Sequence, residues 1–300
     1  MALDPQAVAW LEEVRALGLP AYHETPPVEG RKLMDEGSAA LYGDPDPVHS
    51  VEDADAAGVP VRIYRPSDDE LPALVYFHGG GWVLGSVQSH DGLCRTLAAR
   101  SGCVVVSVDY RLAPEHPFPA PVDDAWTATA WANDRFPGLA VAGDSAGGHL
   151  SAVTSLRARD EGVALALQVL VYPVTDYAFD TGSYEEWGTG TNLTEDSMRW
   201  FWEHFVPDGV DANDPRVSPF RAPELRGVAP ALVVTAECDP LCEEGEAYAK
   251  RLAEAGVRVS LSRYDGQIHG FFRLAAVFDR TQEAIDEVAG AVRTALAPSG

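Results

Sequence analysis

From Ala73 onward, short apolar runs alternate with stretches long enough to be helices. The runs are Ala73 to Phe77, Cys103 to Val108, Leu139 to Ala142, Leu165 to Val171, Ala231 to Ala236 and Val257 to Tyr264. The segments between them predict helices over Ser89 to Arg100, Val122 to Asn133, Ala146 to Asp160, Glu243 to Ala255 and Ala275 to Leu296. Continuous apolar strands alternating with helices mean a mostly parallel sheet covered on both faces, the α/β class. In such sheets ligands bind at the carboxyl ends of the strands, so the loops that follow each run are where chemistry belongs.

Two segments break the alternation. Residues 1–45 predict one helix from Pro5 to Leu17 and another from Gly30 to Tyr42, separated by a proline-containing turn around Thr25 to Pro27. Residues 177–207 interrupt the strands with an aromatic stretch, Ser197 to Phe205. Trp200, Phe201, Trp202 and Phe205 are costly to expose, so this insertion is expected to pack with the N-terminal helices as a cap over the site. The domain reading is therefore a cap built from 1–45 and 177–207 on a catalytic domain of 46–176 and 208–300.

Composition narrows the partners. With 300 residues and 46% hydrophobic content the chain can bury one large core. No run of eighteen apolar residues appears, and the N-terminus lacks the basic start of a signal peptide, so the expectation is a cytoplasmic protein with no membrane partner. A net charge of −24 argues against nucleic acid. The same charge with only two lysines raises tolerance of high salt as a hypothesis, against the plainer reading of a solvated acidic surface. Cys94, Cys103, Cys238 and Cys242 form no disulfide framework and no metal-binding set, so no metal is expected.

The candidate chemistry lies in four of the loops. Gly143-Asp144-Ser145-Ala146-Gly147 joins a strand to a helix, the setting of a Gly-x-Ser-x-Gly elbow that presents a serine hydroxyl at the sheet's edge. His78-Gly79-Gly80-Gly81-Trp82 follows the Ala73 run, and its side-chain-free turn can aim N–H groups at a developing oxyanion. Gly79, Gly80 and Ala146 are the expected donors. Asp239 follows the Ala231 run and His269 follows the Val257 run, giving the order Ser145, Asp239, His269 that an α/β-hydrolase triad requires. Asp109 and Asp144 fail that order; of the other histidines, His149 lies along the helix away from the serine, and His78 and His116 sit in turns.

On these residues the chain resembles the hormone-sensitive-lipase-like esterases of the α/β-hydrolase fold, over nearly its whole length. The matching pieces are HGGGW (His78 to Trp82), DYRLAPEHPFPA (Asp109 to Ala120), GDSAGGHL (Gly143 to Leu150), Tyr172-Pro173, DPL (Asp239 to Leu241) and HGF (His269 to Phe271). The resemblance implies a two-part cap and carboxylesterase activity without a cofactor. One position departs from it: the family's usual basic residue after Asp-Pro-Leu is replaced by Cys242. The implied substrate is a small ester with a short to medium acyl chain, and Trp82, Val83, Val174, Trp187 and Phe271 are the expected pocket residues. Amide hydrolysis by the same triad stays open, as does a homodimer. A non-catalytic receptor on this scaffold, which loses the catalytic histidine, is disfavoured by His269.

Overall fold

The structure, a computed structural model, describes residues 2–297. Among them, eight strands form one sheet: β1 (Ser50–Ala56), β2 (Val59–Arg65), β3 (Ala73–Phe77), β4 (Val104–Val108), β5 (Leu139–Asp144), β6 (Gln168–Val171), β7 (Ala231–Cys238) and β8 (Val259–Ile268). Their order across the sheet is β1-β2-β4-β3-β5-β6-β7-β8. The six strands from β4 to β8 are mutually parallel, and β1 and β2 run antiparallel at one edge. This is the α/β-hydrolase architecture.

The parallel strands are buried on both faces, which is why they read as unbroken apolar runs. In β3, Val75 and Phe77 enter a core with Val104, Val106 and Val141 on one side of the sheet. Leu74 and Tyr76 enter the core on the opposite side with Val105, Ala140 and Val169. The first side is covered by α4 (Ala120–Asn133) and α5 (Ala146–Glu161), the second by α3 (Asp91–Ser101) and α9 (Asp279–Ala295). A smaller core joins β6 and β7 to α8 (Cys242–Glu254) through Leu170, Val233, Tyr248 and Leu252.

The hairpin β1-β2 is absent from the apolar-run reading. Its strands are half exposed, so they alternate instead: Val59, Val61 and Ile63 are buried while their neighbours Pro60 and Arg62 are not. That period of two, with the two-residue turn Ala57-Gly58 held at φ 56 and 96, is the signal that marks it. Other ends shift by a few residues. The β6 strand begins at Gln168 rather than Leu165, α9 begins at Asp279 rather than Ala275, and β8 continues to Ile268. The last extension matters, because it carries the chain directly to His269.

The N-terminal segment forms α1 (Pro5–Ala16) and α2 (Pro27–Tyr42), and the insertion forms α6 (Gly182–Trp187) and α7 (Glu195–Phe205). Helix α7 starts at Thr194, whose hydroxyl accepts the Ser197 N–H at 3.2 Å. It buries Met198, Phe201, Trp202 and Phe205 on one face. The two segments touch: the Tyr22 and Phe201 rings lie 5.7 Å apart, and His23 Nδ1 is 3.1 Å from Ser197 Oγ. No helix among the described residues is long and apolar enough to cross a membrane.

Candidate active site

Ser145 stands between β5 and α5 with φ 58 and ψ −119, a conformation a residue with a side chain rarely adopts. Such strain costs on the order of 1–3 kcal/mol and persists only where neighbours enforce it. Here the Ser145 N–H donates to Val171 O at 2.8 Å, tying the corner to the adjacent strand. The turn also needs backbone to pass against backbone. A Cβ on Gly147 would run into the Phe77 carbonyl oxygen, so only glycine closes it.

The loops after β7 and β8 bring the other two groups to this corner. His269 Nε2 lies 3.0 Å from Ser145 Oγ, and His269 Nδ1 lies 2.7 Å from Asp239 Oδ2. Because a carboxylate only accepts, Nδ1 carries the proton and Nε2 is left to accept from the serine hydroxyl. Asp239 is fully buried, and its second oxygen accepts the Leu241 N–H at 3.0 Å. Ser145 and His269 are buried except for a small face open to a cavity. The three residues named from chain order are thus brought within hydrogen-bonding reach of one another.

The glycine turn departs from expectation at Gly79. Its N–H donates to Asp144 Oδ1 at 3.0 Å, so it has no proton to offer an oxyanion. The N–H groups of Gly80 and Gly81 have no acceptor among the described residues, and both glycines line the cavity over Ser145. Gly81 is a candidate donor that was not among the expected three. The signal was Asp144 itself, a carboxylate in the elbow that must find donors once buried. It also accepts the Tyr76 hydroxyl at 2.7 Å, and His90 Nε2 lies 3.3 Å away, off the hydrogen-bonding direction. Burial alone would raise the Asp144 pKa. The charge of His90, the Tyr76 hydroxyl and the field of Arg273 together hold it well below the usual carboxylate range.

With this geometry in place, the comparisons decide the family. A family profile described as alpha/beta hydrolase fold matches residues 74–273. The carboxylic ester hydrolase LipN of Mycobacterium tuberculosis is 45% identical over 257 residues, covering 80% of this chain and 68% of LipN. The ethyl acetate hydrolase of Pseudomonas putida is 38% identical and covers 99% of this chain and 100% of its own. The solved structure of a hyperthermophilic esterase from Pyrobaculum calidifontis superposes with a TM-score of 0.92 at 43% identity, covering 98% of this chain and 99% of that one. The chain belongs to the hormone-sensitive-lipase-like esterases of the α/β-hydrolase fold.

In this α/β hydrolase, none of the five expected pocket residues lines the cavity over Ser145. Trp82, Val83, Val174 and Phe271 are fully buried. Trp82 turns inward, stacks on Phe205 at 4.2 Å and donates its Nε1–H to His149 Nδ1 at 3.2 Å. Val174 donates its N–H to Ser145 O, and Phe271 packs on Tyr264 and Tyr172. Trp187 packs against the core on the α9 side. Apolar bulk next to a motif is more readily consumed by the core than left in a pocket. The walls are instead Tyr22, Met34, Asn192, Leu193, Phe201 and Arg273, around a cavity of about 30 Å³. A larger cavity of about 480 Å³ lies along α8, lined by Asp176, Glu244 and Arg251, and contains no triad residue. The smaller one, which holds Ser145 and His269, is the candidate site on geometry rather than size.

The other buried histidines hold the frame. His149 Nε2 donates to Val217 O at 3.0 Å, and burial lowers its pKa to about 4. His78 stacks on Tyr110 at 4.2 Å, its Nδ1 lies 2.9 Å from Gly79 O, and burial lowers its pKa to about 3. Cys242 is buried with its pKa pushed up to about 12 by desolvation, and its thiol approaches Glu246 at 3.6 Å. Arg263 of β8 pairs with the same Glu246 at 2.6 Å, so a cation reaches this region from another strand.

Proposed function

We propose that this chain is a serine carboxylesterase that hydrolyses short to medium acyl esters through an acyl-enzyme on Ser145. What carries the reading is the relay of 3.0 Å from Ser145 to His269 and 2.7 Å from His269 to Asp239. The names of its relatives support the ester as substrate, among them an ethyl acetate hydrolase matched over its full length.

In the reaction, Ser145 Oγ attacks the ester carbonyl while His269 Nε2 takes its proton. Asp239 holds the imidazole and stabilises its charge. The N–H groups of Gly80, Gly81 and Ala146 meet the oxyanion; each such donor is worth about 10² to 10³ in turnover. His269 then protonates the leaving alcohol, and water repeats the sequence in reverse to release the acid. Residues 1–45 and 177–207 act as the cap, which supplies Tyr22, Met34, Asn192, Leu193 and Phe201 to the cavity wall and keeps bulk water from the acyl-enzyme.

Covalent labelling tests this reading. A fluorophosphonate probe is expected on Ser145 by peptide mapping, and Ser145→Ala is expected to lose about 10⁶ in kcat on p-nitrophenyl acetate with an unchanged melting temperature. Label on another residue, or turnover retained by the variant, would remove Ser145 from the mechanism.

A further inference from the structure

Arg273 is an anomaly in this chain. It lies on a short turn of 3-10 helix, Phe271–Arg273, just after His269, and lines the same cavity as Ser145 and His269. Its guanidinium makes no hydrogen bond and no ion pair among the described residues. Of the chain's twenty arginines, only Arg15 and Arg258 share that condition, and both are exposed, so a charged head there loses little. Of the other half-buried arginines, Arg31, Arg62, Arg65, Arg95, Arg100, Arg157 and Arg159 each have a carboxylate partner, and Arg251 donates to the Ala222 carbonyl at 3.0 Å. In a protein with 46 acidic residues, an arginine left unpaired inside a pocket is a site for an acceptor brought from outside.

The acceptor's chemistry follows from the group. A guanidinium offers a planar fork of donors that fits a carboxylate, and desolvation in a narrow cavity strengthens the pairing. Asp144 also faces this cavity, with Oδ1 already taken by Tyr76 and Gly79. The two charges cancel at a distance, so only a group in direct contact with Arg273 gains. We propose that Arg273 makes this site selective for short esters that carry a second, ionised carboxylate, the half-esters of small dicarboxylic acids. This deepens the esterase reading and rests on it. In the step proposed, the bond between the acyl carbon and the alkoxy oxygen breaks, the alcohol leaves with the proton from His269, and water supplies the oxygen and proton that free the diacid. Arg273 takes no part in the bond changes; it holds the far carboxylate.

The test compares ethyl hydrogen succinate with ethyl succinamate, which replaces the carboxylate by an uncharged amide of nearly the same shape. Ethyl acetate in the same assay reports on ester hydrolysis independently. Wild-type enzyme is expected to favour the half-ester in kcat/KM, and Arg273→Gln to lower kcat/KM about 10- to 100-fold more on the half-ester than on the succinamate, the range for losing a hydrogen bond to a charged group. Inhibition of ethyl acetate hydrolysis by wild-type enzyme should be stronger with succinamate anion than with succinamide, a readout that needs no variant. Wild-type preference for the uncharged ester, equal losses on both esters in the variant, or equal inhibition by anion and amide would each overturn the proposal. Turnover of ethyl acetate with none of the half-ester overturns this proposal alone; turnover of no ester overturns the esterase reading with it.

Discussion

The strand ends that carry Ser145, Asp239 and His269 and the helices that lie over them are held by different physics. At the strand ends the fit is mainly backbone against backbone, Ser145 N–H on Val171 O and Gly147 against Phe77 O, with one buried side chain, the Asp144 carboxylate, fixing the Gly79 N–H. Over them the fit is side chain against side chain. Trp82 stacks on Phe205, Tyr177 stacks on Trp202 at 4.4 Å, and Tyr22 tilts against Phe201. Helices α1 and α2 and the residues around them also leave Val8, Leu17, Leu19, Val28 and Leu33 in solvent. Backbone contacts have no tolerance for added atoms, whereas aromatic packing can re-form with other rings. The reaction geometry is therefore rigidly specified, and the walls that choose a substrate are free to vary.

The sharpest way to break this comparison is Gly147→Ala. One methyl group would meet the Phe77 carbonyl with no side chain able to yield, so the elbow must open or β3 must move. The expected result is loss of ester hydrolysis together with a stability loss of about 4 kcal/mol or more, read by urea denaturation. A variant that melts within a few degrees of the parent would show that the strand ends are less constrained than their contacts imply.

Acid sharpens it next. His78 and His149 are buried beneath the glycine turn with folded-state pKa values of about 3 and about 4, while unfolded histidine titrates near 6.5. Between those values the unfolded chain binds protons that the folded chain refuses, so stability rises with pH across the window and falls as pH drops. The two groups together should cost about 3 kcal/mol between pH 6.5 and pH 5. The Asp144 carboxyl, held low, keeps its contribution through this window and loses it only at still lower pH. Urea midpoints that stay flat from pH 6.5 to 5 would mean these rings take up protons in place.

The same difference explains what was legible in the sequence. Backbone constraints leave glycine, proline and fixed order in the chain, so the sheet, the elbow and the positions of Asp239 and His269 could be read from one sequence. The assignment of Gly79 failed because which N–H faces the cavity depends on Asp144, 65 residues away. The hairpin β1-β2 escaped because a half-exposed edge shows alternation and not an apolar run. The pocket walls escaped for a third reason. Trp82 and Val83 look like wall residues by proximity to the glycines, yet the turn points them into the core, and the actual walls come from Tyr22, Asn192 and Phe201, which only tertiary packing brings near Ser145.

The gentlest test probes how the overlying helices are fastened. Arg31 of α2 donates from Nε to Val83 O at 2.7 Å and from Nη2 to Ala113 O at 2.7 Å, and pairs with Glu115. The ion pair with Glu115 is partly exposed on the glutamate side and adds less than a buried pair would. The bonds to the two carbonyls matter more, because Val83 directly follows the glycine turn and its carbonyl has no other partner near α2. Arg31→Ala should cost about 1–2 kcal/mol, a fall of a few degrees in melting temperature, since the strand ends keep all their own contacts. The N-terminal segment alone should become easier to cleave under limited proteolysis, and KM for a neutral ester should rise more than kcat falls, because Tyr22 and Met34 form cavity wall and touch no reacting atom. A stability loss as large as that of Gly147→Ala, or a fall in kcat at unchanged KM, would place α2 in the same rigid unit as the triad and erase the distinction between the two regions.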